Sequence, residues 1–90
     1  MNIPIYFTTE IWKEGGSFVA WAPEFDVSSM GGSVDEARMN LREAAGLFLE
    51  EAEKMGTLQE ILEEGGYVRA SEGWKAPELL AIEKTSVAVA

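Results

Sequence analysis

The side chains in this chain that could do chemistry are almost all carboxylates. Its 90 residues include no His and no Cys, which removes histidine-based triads, cysteine nucleophiles and ordinary zinc sites from consideration. What remains is Glu10, Glu14, Glu24 and Asp26, four acids in the first third of the chain. Converging carboxylates hold magnesium, and two-metal hydrolysis needs them to place ions roughly 3.5 to 4 Å apart. A metal-dependent nuclease built on Glu10, Glu24 and Asp26 is therefore one reading. The other is that these acids line the solvent face of a half-exposed sheet.

A second stretch resembles a ligand site at first sight. Residues 30–37 read MGGSVDEA, a glycine-rich turn feeding a helix start, the arrangement that presents free N–H groups and a positive dipole end to phosphate. Asp35 and Glu36 already place negative charge in that first turn and would repel a phosphate. The spacing also lacks G-x-G-x-x-G and the P-loop lysine. Gly31 and Gly32 are better read as the bend between a strand and a helix, with Ser33 and Glu36 forming an S-x-x-E capping box. No cofactor and no bound metal are expected.

Other features point to contact surfaces. Glu50, Glu51, Glu53, Glu60, Glu63 and Glu64 form an acidic run, which suits either a docking face or a solvated helix surface. Trp12 and Trp21 lie near opposite ends of two hairpin arms, where aromatic residues serve as core or as interface anchors. Trp12, Trp21, Glu24, Phe25 and Asp26 are thus the candidate partner or dimer contacts, and Trp74 is expected to pack a loop down. Asn40 interrupts a helix-favouring run, either as an exposed polar residue or as a bonding group toward a neighbouring loop or a partner.

The elements that position these residues follow from periodicity. Ile3, Ile5, Phe7 and Ile11 share one parity and predict a first strand. A turn at Lys13 to Gly16 leads to a second strand over Ser17 to Ala22, so that the two form a hairpin ended by Pro23. A third strand is expected over roughly Asp26 to Met30. From Val34 the apolar positions recur at three and four residues as far as Met55, predicting an amphipathic helix of about 22 residues stopped by Gly56. Thr57 opens a second, shorter helix carrying Leu58, Ile61 and Leu62, with Gly65 and Gly66 as its stop. Tyr67 to Arg69 reads as a short strand, Trp74 to Pro77 as a loop, and residues 80–89 as a final strand. The order β-β-β-α-(α)-β is that of an α+β domain, a small and mostly antiparallel sheet with one long helix on one face. No linker or repeat divides it, so residues 1–90 read as one domain, with a core over 1–55 and the second helix and final strand in 57–90.

Composition narrows the partners. Sixteen acidic against seven basic residues give a net charge of -9, which disfavours direct nucleic-acid binding and favours a basic partner. A chain this short buries only about 60 to 65% of its unfolded surface, so self-association is expected. Neither a signal peptide nor a membrane-spanning stretch is recognisable, and a cytoplasmic location is the expectation.

The run from Gly15 to Ala44 resembles the HicB family of antitoxins from type II toxin–antitoxin systems. The resemblance rests on Gly16, Phe18-Val19-Ala20, Pro23-Glu24-Phe25, Gly31, Ser33, Glu36-Ala37 and Asn40 with Glu43-Ala44, in that order and spacing. It implies a β-β-β-α-β core, a partial ribonuclease-H-like fold. It also implies a non-catalytic protein that forms homo-oligomers and neutralises HicA, a small basic toxin that cleaves messenger RNA. Many members carry a C-terminal DNA-binding domain. Here the residues after the core hold no basic cluster and finish in TSVAVA, the pattern of a short variant without that domain. An orphan binding protein of the same fold with no toxin partner is the alternative.

Overall fold

A computed structural model describes residues 3–90. Strands β1 (Glu10–Glu14), β2 (Ser17–Ala22) and β3 (Val27–Gly31) form an antiparallel sheet in the order β1-β2-β3. Helix α1 (Val34–Met55) packs across one face of that sheet, and the shorter α2 (Leu58–Glu64) follows it. A separate two-stranded antiparallel sheet, β4 (Val68–Ala70) with β5 (Gly73–Lys75), completes the order. The chain is α+β, as its periodicity predicts.

Each element has a local cause. The β1–β2 turn is closed by Gly15 and Gly16, with Gly15 at φ 61°, so Glu14 pairs with Ser17 and Trp12 with Val19. At the start of α1 the Ser33 hydroxyl accepts from the Glu36 N–H at 3.1 Å, and the Glu36 carboxylate accepts from the Gly32 N–H at 2.7 Å. This is the expected reciprocal cap, displaced by one residue on the glutamate side. Gly56, at φ 77°, ends α1 in the left-handed conformation while the Thr57 N–H reaches back to the Ala52 carbonyl. Thr57 stands at the cap position of α2, but its hydroxyl bonds the Ala52 carbonyl and makes no side-chain cap.

The two glycines before α1 differ in their duty. A Cβ on Gly31 would lie 2.5 Å from the Ala37 nitrogen, whereas one on Gly32 would meet nothing nearer than 3.6 Å. Gly31 is therefore where β3 and α1 touch backbone to backbone. Asn40 completes the junction, its side-chain amide donating to the Met30 carbonyl at 2.8 Å. Of the roles open to it, Asn40 thus ties its helix to the neighbouring strand.

The core beneath α1 is thin. Ala20, Ala22, Ala37, Phe25, Leu41, Leu62 and Tyr67 are its buried members, and among the described residues Leu41 and Leu62 are the large side chains wholly out of solvent. Ile5, Phe7, Ile11, Phe48 and Trp74 close it from the sides, so Trp74 does pack inward as expected.

Three expectations need correction. The first strand begins at Glu10, because residues 3–9 find no neighbouring strand to pair with, although Ile5 and Phe7 still face the core. The stretch expected as a loop from Trp74 forms β5 instead, with Arg69 stacked 4.7 Å over the Trp74 ring. Residues 80–89 form no strand: the chain from 76 to 90 has no regular structure and makes no ladder with either sheet. The terminal strand of the predicted order is met by the small β4–β5 hairpin earlier in the chain.

Gly31→Ala should lower stability by about 1 to 3 kcal/mol, the usual cost of forcing atoms into a filled contact, while Gly32→Ala should shift the denaturation midpoint far less. Equal midpoints for the two variants would show that the strand–helix contact is not where the structure places it.

Candidate functional site

The sheet has two unlike faces. Ile11, Phe18, Ala20, Ala22 and Val27 turn toward α1 and the core. Alternation along the strands sends Glu10, Trp12, Glu14, Val19, Trp21, Ser28 and Met30 to the opposite face. No helix among the described residues covers that side. Trp12, Glu14, Val19, Trp21, Ser28 and Met30 line one shallow apolar depression there.

Within the depression Val19 is buried although it has no place in the core cluster, because its cover comes from its outer-face neighbours. Trp12 stands opposite Val19 and Val19 opposite Met30 across the ladders. Trp12 is 43% exposed and Met30 55%, so large apolar groups face water side by side. Single exposed apolar residues are ordinary, whereas a contiguous cluster marks an interaction surface.

A left-handed turn holds this surface in place. After Pro23 the chain turns back with Asp26 at φ 53°, the described residue other than glycine that adopts a positive φ. Aspartate tolerates that region better than most side chains. Its carboxylate accepts a hydrogen bond from the Trp21 indole Nε1 at 2.9 Å, fixing the ring over the outer face. Two residues earlier, Glu24 accepts from the Thr8 N–H at 3.0 Å and from the Thr8 hydroxyl at 2.7 Å, anchoring the segment before β1.

The sequence candidates therefore separate into three groups. Gly31, Gly32, Ser33, Glu36 and Asn40 come together as the strand–helix junction. Trp12, Trp21 and Asp26 belong to the outer face. Phe25 does not: it is buried, its ring stacked on Tyr67 at 5.5 Å and set against Phe7 and Phe48 at 6.1 Å each. The expected contact role fails for Phe25 because the turn points it into the core. Glu24 is engaged with Thr8 and does not reach the patch.

The four acids do not assemble as a metal site. Glu24 and Asp26 have separate partners, and no group of three Asp or Glu residues among the described residues is placed to share an ion. Glu10 and Glu14 flank Trp12 on the outer face, with Asp26 beside Trp21. Lys13 alternates to the other side and lies 5.9 Å over the Phe18 ring. The patch is thus apolar in the middle and acidic at its edge. Val19 and Met30 were not candidates, though the register following from a two-residue turn at Gly15-Gly16 already sets Val19 opposite Trp12.

A second hollow lies between the segment before β1, the middle of α1 and the β4–β5 hairpin. It is lined in part by Ile5, Leu49, Glu53, Leu58, Arg69 and Trp74. Arg69 bonds Gln59 at 3.2 Å and stacks on Trp74, so its charge is already placed. Nearby, the Tyr67 hydroxyl donates to the Tyr6 carbonyl, and burial, aided by Glu24, raises its pKa above the ordinary 10.0.

Two outcomes check this geometry. Asp26→Ala loses the indole bond and keeps the left-handed strain, whereas Asp26→Gly relieves the strain, so the glycine variant should be more stable than the alanine variant by about 1 kcal/mol. The reverse order in denaturation would contradict the turn. For Tyr67, the raised folded-state pKa means that its contribution to stability is whole below pH 10 and is lost as pH rises above it, because the unfolded chain gives up that proton first. Tyr67→Phe should flatten the fall of the unfolding midpoint above pH 10, and an unchanged slope would remove Tyr67 as its source. No helix among the described residues is long and apolar enough to cross a membrane. Comparison with known proteins finds no matching family model, no matching curated protein and no matching solved structure.

Proposed function

We propose that this chain is a HicB-like antitoxin: a non-catalytic cytoplasmic protein that binds a small basic HicA-type mRNA-cleaving toxin and covers the surface with which that toxin grips RNA. The observation that carries the reading is the outer face of the sheet, where Trp12, Val19, Trp21 and Met30 form an apolar patch bordered by Glu10, Glu14 and Asp26. No Lys or Arg lies among the strand residues of that face.

The physical fit is direct. A protein that binds RNA presents Lys and Arg to phosphates, and an acidic rim competes for the same groups. Complementary charge speeds encounter and selects the partner, while buried aromatic anchors supply most of the holding energy. The net charge of -9 adds long-range attraction for any cationic protein. The order of elements from β1 to α1 is the one that the resemblance to HicB implies, and a partial ribonuclease-H-like arrangement belongs to the same proposal.

The test is an RNA-cleavage assay using the small basic protein encoded beside this chain. Stoichiometric addition of this chain should stop cleavage. Trp12→Glu should weaken the complex by roughly 30-fold, the effect of losing a hot-spot side chain worth about 2 kcal/mol, and raised salt should weaken it further. Undiminished cleavage with a molar excess of the wild-type chain would overturn the antitoxin reading and leave an orphan binding protein.

A further inference from the structure

We infer that residues 76–90 are an exchange arm, which lies as an added strand along the β3 edge of a second copy of this chain. The inference stands apart from the antitoxin reading, since it concerns how the chain completes its own fold. Every residue from Pro77 to Ala90 is exposed, including Leu80 at 85%, Val87 at 82% and Val89 at 91%. These are strand-forming residue types that find no place in their own molecule.

Size and surface say the same. A compact chain of 90 residues has a radius of gyration of about 12 Å, whereas this one measures 15.2 Å and extends 48 Å along its longest axis against 30 and 19 Å along the others. It exposes 7031 Å², about 1,800 Å² more than the surface of roughly 5,200 Å² expected of a compact protein of 9.9 kDa. If two copies each hide that excess, the shared interface comes to about 3,600 Å², within the range of obligate dimers. A pair of reciprocal arms supplies it by a closed, two-fold exchange.

Charge and edge chemistry select the site. The arm holds Glu78, Glu83 and Lys84, a net charge of -1 in a chain of net -9, so it is a part that two acidic copies can bring together without strong repulsion. Of the two open sheet edges, β1 carries Glu10, Lys13 and Glu14, the charged residues that block edge pairing. Strand β3 reads VSSMG, with no charge and no proline. It is the edge without charge, and strand addition along it, beside the Met30 carbonyl that Asn40 already takes, gives the arm's N–H and C=O groups partners they lack within the chain.

The experiment uses the full chain. Light scattering at tens of micromolar should give twice the 9.9 kDa chain mass, and amide hydrogen exchange should show protection between Leu79 and Val89. The double variant Ile82→Asp, Val87→Asp should fall to the monomer mass while keeping its helical circular dichroism, because neither side chain belongs to the core. A monomeric wild-type chain would overturn the inference. So would a dimer whose arm amides exchange as fast as those of an unstructured peptide, or a double variant that stays dimeric.

Discussion

Phe25 meets three rings: it stacks on Tyr67 with an interplanar angle of 11°, receives Phe7 nearly edge-on at 62°, and lies tilted against Phe48. Those rings come from the segment before β1, from α1, and from the stretch after α2. In a core where three of the six other buried members are alanines, this contact joins parts of the chain that are remote in sequence. Aromatic pairs of this kind contribute about 0.5 to 1.5 kcal/mol each beyond their buried area. Because Phe25 points inward, its two neighbours are placed as well. Glu24 is set to clasp Thr8, and Asp26 takes the left-handed turn from which it holds the Trp21 indole. The outer face of the sheet thus owes its shape to a residue on the inner one.

What was legible in the sequence was the part governed by local rules. The periodicity of Val34 to Met55, the Ser33 and Glu36 cap and the glycine stop at Gly56 depend on residues within a turn or two of one another, and the helix has the bounds they imply. The hairpin around Gly15-Gly16 is local in the same way, and its register follows from the turn. Distant partners were harder to foresee. The apolar alternation of Ile3 to Phe7 is real, but alternation describes which side is buried and cannot supply a neighbouring strand. Residues 80–89 carry strand-forming types for which the single chain offers no ladder. Phe25 sits between an acid on each side and resembles a surface residue until the turn around it is known. Of the site, Trp12, Trp21 and Asp26 were legible as residues, whereas their assembly into one patch with Val19 and Met30 needed the pairing of three strands.

The division of surfaces gives the molecule its economy. One face of the sheet is used by α1, leaving the opposite face for an apolar patch with an acidic rim, and the uncharged β3 edge for strand pairing. The carboxylates that first suggest metal chemistry have other duties in the folded chain. Glu24 anchors the leading segment, Asp26 orients an indole, and Glu10 and Glu14 border the patch. Their placement favours recognition of a basic surface by charge and aromatic contact, which is the role proposed for the chain.

That central claim concerns a particular surface, so the most direct measurement is a footprint. With the basic partner protein bound, amide shifts in an NMR spectrum of this chain should concentrate on β1, β2 and β3, and the indole signals of Trp12 and Trp21 should move while that of Trp74 stays in place. Perturbation confined to the glutamate-rich outer side of α1 and α2, with the Trp12 and Trp21 indoles unmoved, would contradict the account.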